Sequence, residues 1–148
     1  MAHQVEKMFS VREVPWHGLG SIVNEAPTAQ EAIKLAGLDW KVNSNQPYYN
    51  VENLGYKRAE GYQVLSRSDN NQVLSIMKDS YTPLQNDTAF SFFNPFVDSG
   101  LASFETAGSL RKGKVVWILA TLNKAPIDIG GGDIVKKNLL LSNSHDGL

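Results

Sequence analysis

The residues able to do chemistry in this chain gather in two places near its C-terminal end. Arg111, Lys112 and Lys114 surround Gly113 between two apolar runs. Three cations on a short turn, with a glycine that admits close backbone approach, are what a phosphate-contacting hairpin tip requires. The plain structural account is a solvated turn whose glycine supplies positive φ. Further on, Asn143-Ser144-His145-Asp146-Gly147 is the densest polar cluster. His145 and Asp146 offer an imidazole and a carboxylate to a metal, with His17 brought in from the N-terminal segment. Ser144 or Ser142 with the same pair offers a hydrolase constellation. Neither has diagnostic spacing, because His-Glu-x-x-His and Gly-x-Ser-x-Gly are both missing. Adjacent Ser, His and Asp residues do not form a triad among themselves, since a triad needs convergence from separate elements. A polar turn that closes a strand, its side chains bonded to nearby backbone, explains the cluster without any chemistry.

A second set of cations lies earlier in the chain. Lys57, Arg58 and Arg67 are interleaved with Tyr56 and Tyr62. Exposed aromatic rings beside cations stack on unpaired bases, and the competing use of such rings is core packing. Lys136-Lys137 adds at most one charge to a shared face, because strand neighbours point to opposite sides. Gly130-Gly131-Gly132 is not a phosphate loop, since no Gly-Lys-Ser/Thr follows it.

The elements that must position these groups are legible in outline. Thr28 to Gly37 predicts a helix with Thr28 and Glu31 as a capping box, an apolar face of Ala29, Ala32, Ile33 and Ala36, and Gly37 as its C-terminal stop. So shallow a face suits a flat partner such as a sheet. Asn86 to Ser99 predicts a second helix with Asn86 as its cap, Gly100 as its end and an interruption near Asn94 forced by Pro95. Residues 38–51 read as extended. Residues 61–67 and 72–78 form a hairpin around Asp69-Asn70-Asn71. Ser103 to Leu110 and Val115 to Leu122 flank the cationic turn as strands. Ile134 to Asn143 reads as a last strand with Leu139-Leu140-Leu141 buried. Residues 1–27 read as an irregular segment anchored by Trp16. Strands, helix, then strands again indicate an α+β fold: an antiparallel sheet of hairpins packed with about two helices, in a single domain over 1–148.

Composition narrows the class. The chain has 148 residues, 42% of them hydrophobic and 20% charged, with a net charge of −1. That is a globular balance with no bulk polycation, so a polyanion site requires the cations to converge in space. There is no cysteine, which excludes disulfides, thiolate metal sites and thiol nucleophiles. The N-terminus has no apolar signal-peptide core, and no run approaches the ~20 residues of a membrane span. The expected location is the cytoplasm, with no cofactor.

Several blocks together carry a resemblance. Val14-Pro15-Trp16-His17-Gly18-Leu19-Gly20, Ala36-Gly37-Leu38-Asp39-Trp40, Tyr81-Thr82-Pro83-Leu84-Gln85-Asn86, Phe104-Glu105-Thr106-Ala107-Gly108-Ser109-Leu110 and Leu140-Leu141-Ser142-Asn143-Ser144-His145-Asp146-Gly147 stand in this order. They resemble the signature blocks of the phage/plasmid-like proteins of unknown function. Members of that family are typically about twice as long, which implies that this chain is the N-terminal half of a longer architecture. The resemblance implies a mobile-element gene, and such genes often serve DNA recombination or replication.

The leading expectation is therefore a module that binds single- or double-stranded DNA. Arg111, Lys112 and Lys114 would contact phosphates, Lys57, Arg58 and Arg67 would assist, and Tyr56 or Tyr62 would stack. One alternative is a protein-interaction module, such as an inhibitor of a host defence system, in which an oligomer is also compatible. The other is a hydrolase or metal-dependent enzyme using His17, His145 and Asp146. The weak catalytic spacing favours a role other than catalysis.

Overall fold

The computed structural model describes residues 5–11, 21–23, 27–123, 127–128, 134–135 and 137–147. The expectations for the Trp16-His17 segment, for Lys136 and for the triple glycine fall outside these residues. In chain order the elements are β1 (Val5–Val11), β2 (Ser21–Val23), α1 (Ala29–Leu35), β3 (Val42–Asn45), β4 (Tyr48–Val51), β5 (Gly55–Arg58), β6 (Tyr62–Arg67) and β7 (Val73–Lys78). There follow α2 (Asn86–Ser91), α3 (Asn94–Asp98), β8 (Ala102–Leu110), a 3-10 turn (Arg111–Gly113), β9 (Val115–Leu122), β10 (Ile127–Asp128), β11 (Ile134–Val135) and β12 (Asn138–Ser144).

The fold is α+β. Its main sheet has the order β12-β9-β8-β1-β2, antiparallel throughout except for the parallel β1–β2 pair. A second sheet has the order β3-β6-β7, and β4–β5 and β10–β11 are separate two-stranded pairs. Along β9, Val116, Ile118 and Ala120 are buried and their neighbours are not, the period of a strand with one face on the core. That face meets Phe9 and Val11 of β1, Phe104 and Ala107 of β8, Ala32 and Ala36 of the α1 region, and Phe90 and Phe93 of the α2–α3 region. Leu65 and Leu74 of the second sheet join the same cluster.

The first helix forms as its sequence dictates. Thr28 Oγ1 accepts from the Glu31 amide, and the Glu31 carboxylate accepts from the Thr28 amide, closing the capping box. At the other end Gly37 has φ +68. Its amide reaches Lys34 O and the Leu38 amide reaches Ile33 O, the two bonds of a Schellman stop. The predicted break near Asn94 is also present, with Pro95 inside the first turn of α3, where a missing N–H costs nothing.

Three expectations need correction. Residues 5–11 are not irregular but form β1, between β8 and β2 in the main sheet. A register shift between Val5 and Lys7 and the burial of both Met8 and Phe9 interrupt the two-residue period that would have marked the strand. The last long strand starts at Asn138, and Leu140 is 66% exposed, because alternation turns its side chain away from Leu139 and Leu141 on an edge strand. Asn86 does not cap α2. Gln85 holds the N-cap position without a side-chain bond, and Asn86 is buried with its amide directed inward. The second helical stretch is two short helices on either side of the predicted break, which makes three α-helices among the described residues. No helix among the described residues is long and apolar enough to cross a membrane.

Candidate functional site

The cationic turn between β8 and β9 has an unusual backbone. Arg111, Lys112 and Gly113 all have positive φ, at 50°, 58° and 91°. A non-glycine residue in this region costs about 1–2 kcal/mol, so two in succession persist only where the surroundings hold them. Gly113 supplies the freest link and also the closest approach. A Cβ there would lie 2.8 Å from Trp40 Cζ2 and 3.1 Å from Arg67 Nη1. Arg67 Nη1 donates to the Lys112 carbonyl at 3.1 Å. The His145 amide donates to the Lys114 carbonyl at 2.7 Å. Arg111 meets Asp146 at 3.3 Å. The turn is clamped from three sides.

Arg67 is the first clamp. It is 4% exposed, and its guanidinium forks onto Asp69 at 2.9 and 2.7 Å while Nη1 meets both Glu6 oxygens at 2.7 and 2.6 Å. Its cationic carbon lies 4.4 Å from the Trp40 ring centroid, within cation–π range. Burial alone would lower the Arg67 pKa, but the hydrogen bonds and charges of Asp69 and Glu6 outweigh it and raise it. The hydrogen bond from Arg67 holds the Asp69 carboxyl below its usual range. Read from sequence as an auxiliary phosphate contact, Arg67 instead spends its charge inside the molecule.

His145 is the second clamp. Its imidazole is fully buried and packs edge-on to Trp40, with ring centroids 5.7 Å apart. Nε2 lies 2.9 Å from Asn86 Oδ1, while Asn86 Nδ2 donates to the Leu38 carbonyl at 3.2 Å. That leaves Oδ1 as the acceptor, so Nε2 carries the proton, and Nδ1 has no hydrogen-bond partner among the described residues. Burial pushes the pKa down to about 4, against a smaller opposing pull from Asp146. The ring is neutral at pH 7 and touches no solvent. Ser75 Oγ donates to the His145 carbonyl at 2.7 Å, tying β7 to this turn. Asp146 accepts from Ser144 Oγ and pairs with Arg111. No three His, Cys, Asp or Glu residues among those described lie close enough to hold a metal ion, and His17 lies outside them. The sequence reading of a locally bonded polar turn fits Ser144 and Asp146 but missed the inward imidazole. Nothing in the spacing links residue 145 to Asn86 or Trp40.

What the turn presents outward is a groove of about 930 Å³, lined by Glu6, Gln72, Ser75, Arg111, Lys112, Lys114 and Asp146 among others. Its two carboxylates are already engaged, Glu6 by Arg67 and Asp146 by Arg111. Lys112 is exposed, Lys114 half-buried, and neither pairs with a carboxylate among the described residues. The other predicted contacts lie elsewhere. Lys57, Arg58 and Tyr56 are exposed on β5, Tyr56 at 77%, and Tyr62 is 50% exposed at the start of β6, opposite Lys78.

A family model described as a domain of unknown function (DUF932) matches residues 73–148, just over half of the chain. No curated protein and no solved structure matches it. The matched part runs from β7 to the end and contains the cationic turn, Asn86, His145 and Asp146, whereas Glu6, Trp40 and Arg67 precede it. The chain thus belongs to the DUF932 family of domains of unknown function.

Proposed function

We propose that this protein binds nucleic acid through the groove beside the 111–114 turn. The observation that carries the reading is the strained turn itself. Its backbone is fixed by Arg67, Trp40 and His145, and Lys112 and Lys114 line an open groove where neither pairs with a carboxylate among the described residues. A polyanion backbone is the ligand chemistry such a rigid cationic lip suits. Lys57 and Arg58 act as secondary phosphate contacts. In keeping with the sequence resemblance, the setting is a phage- or plasmid-borne gene acting in DNA recombination or replication in the bacterial cytoplasm.

The test is a titration on single- and double-stranded DNA at several salt concentrations. Each phosphate contact contributes about 0.9 to the slope of log K against log salt on duplex DNA. The Lys112→Ala/Lys114→Ala variant is expected to bind more weakly and to lower that slope by about 2. Equal affinity and equal slope for wild type and variant would remove the proposal. The hydrolase and metal readings draw no support from His145, whose ring is sealed and neutral.

A further inference from the structure

The hairpin of β4 and β5 is built differently from its neighbour. In β6–β7 one face is internal, with Gln63, Leu65, Arg67 and Leu74 buried. In β4–β5 no residue is buried at all. Yet this ribbon carries three of the five tyrosines of the chain, Tyr48, Tyr49 and Tyr56, at 59%, 53% and 77% exposure. An isolated two-stranded ribbon is marginal in water. This one is held at its base by Gln46, whose amide donates to the Pro47 and Ala59 carbonyls at 3.0 and 2.9 Å, and by the Ala59 amide bonded to Pro47 O. Wet aromatic faces on a ribbon that contributes nothing to the core point to a ligand rather than to packing.

The register shows which ligand. Tyr48 pairs with Arg58, Tyr49 with Lys57 and Asn50 with Tyr56. Opposed residues share a face and alternate residues share a face. Tyr48, Asn50, Tyr56 and Arg58 therefore lie on one side, Tyr49 and Lys57 on the other. Each cation of the ribbon stands directly opposite a tyrosine. On the first face, Tyr48 and Tyr56 are diagonal neighbours, a relation that typically sets residues about 7–8 Å apart. A stacked base needs about 3.4 Å on each side, so residues at this diagonal spacing leave room for one base between them, with Arg58 on the same face for its phosphate. A duplex offers no unstacked base to such a slot.

We infer that the β4–β5 ribbon is a stacking platform for single-stranded nucleic acid, which takes an unpaired base between Tyr48 and Tyr56 and its phosphate on Arg58. This rests on the nucleic-acid reading above and makes it specific: the groove supplies charge for any strand, and the ribbon supplies preference for the unpaired one.

The experiment is fluorescence anisotropy with labelled oligothymidylate and with a duplex of equal length. Wild type, Tyr48→Ala/Tyr56→Ala, Tyr48→Phe/Tyr56→Phe and Lys112→Ala/Lys114→Ala are compared. The Tyr-to-Ala variant is expected to lose about tenfold or more in affinity for oligothymidylate, with an unchanged salt slope and unchanged duplex binding, and the Phe variant is expected to keep the wild-type affinity. The lysine variant weakens both probes. Unchanged oligothymidylate affinity in the Tyr-to-Ala variant overturns the platform and leaves the groove standing. A wild type that binds neither probe overturns both. Should the Ala variant fold poorly, Tyr56→Trp serves instead: its added fluorescence is quenched by oligothymidylate if a base stacks there, and an unquenched signal under saturating probe overturns the inference.

Discussion

At the scale of single residues, His145 carries the sharpest physical consequence. Its imidazole is buried, bonded through Nε2 to Asn86 and depressed to a pKa of about 4. In the unfolded chain a histidine titrates near 6.5. Between these values the unfolded state binds a proton that the folded state refuses, so stability falls as pH falls. The contribution is complete above about pH 6.5. It declines by up to about 1.4 kcal/mol per pH unit towards pH 4, reaching about 3 kcal/mol in all. Two carboxylates with resolved shifts titrate outside this window. Asp69 and Asp87 are both held below the ordinary carboxyl range, Asp69 by its hydrogen bond from Arg67 and Asp87 by one from Lys41. Their stabilisation is present above pH 3.8 and is lost only as pH falls further. Denaturant melts of wild type and His145→Gln at steps from pH 7 to pH 4 check this. The wild-type midpoint is expected to drop steeply over that range, and the variant, less stable at pH 7, to follow a flatter course. Parallel pH profiles would contradict the assignment. The polar cluster around residue 145 was visible in the sequence, but its inward histidine was not, because Asn86 and Trp40 meet it only through the tertiary fold.

At the scale of elements, local rules carried well where a single segment settles its own ends. The Thr28–Glu31 box, the Gly37 stop and the break at Pro95 each need only nearby backbone, and each is as the residues predict. Rules failed where an element depends on a partner far away. The β1 strand escaped notice because its bulged register is matched to β8, about a hundred residues later. Asn86 looked like a cap because the demand of His145 on its amide cannot be seen locally. The β1–β8 pair also holds a close contact that makes a clean test. Gly108 pairs with Met8, and a Cβ on it would fall against the Lys7 carbonyl and lie 2.5 Å from both Met8 Cβ and Trp117 Cη2. Two of these are backbone or first side-chain atoms that cannot swing aside. Gly108→Ala is therefore expected to push β1 off β8 and cost about 1–3 kcal/mol, read as a lower midpoint in chemical denaturation. Gly61→Ala is a different case, since nothing lies near its missing Cβ and its cost is backbone strain alone. If Gly108→Ala is as stable as wild type, the β1–β8 register is wrong.

At the scale of the whole molecule, the question is what makes two sheets one structure. Apolar contacts supply part of it, since Leu65 and Leu74 of the second sheet join the core of the first. The specific joints are polar, and they converge on Trp40. Arg67 stacks on one side of that ring and His145 packs edge-on to it, while the backbone of Gly113 closes against it. Arg67 in turn spans Glu6 of β1, Asp69 after β6 and the Lys112 carbonyl. Composition and periodicity could indicate an α+β chain, but no local pattern announces that an arginine in a hairpin strand will hold a turn 45 residues away. Lysine at this position keeps the charge but loses the planar fork and the stacking. With Glu6 and Asp69 both partly exposed, the released carboxylates regain water, which limits the loss. Arg67→Lys is expected to cost about 2 kcal/mol, within the range for a hydrogen bond to a charged group. The more telling readout is local. Amide exchange at Lys114 and His145 should rise more than exchange in the middle of β8 and β9, because the turn is released before the sheet opens. The variant should also bind DNA more weakly although every outward cation remains, since Lys112 and Lys114 no longer stand on a fixed backbone. Uniformly faster exchange across the molecule, with DNA affinity unchanged, would mean that Arg67 stabilises the fold without holding the turn.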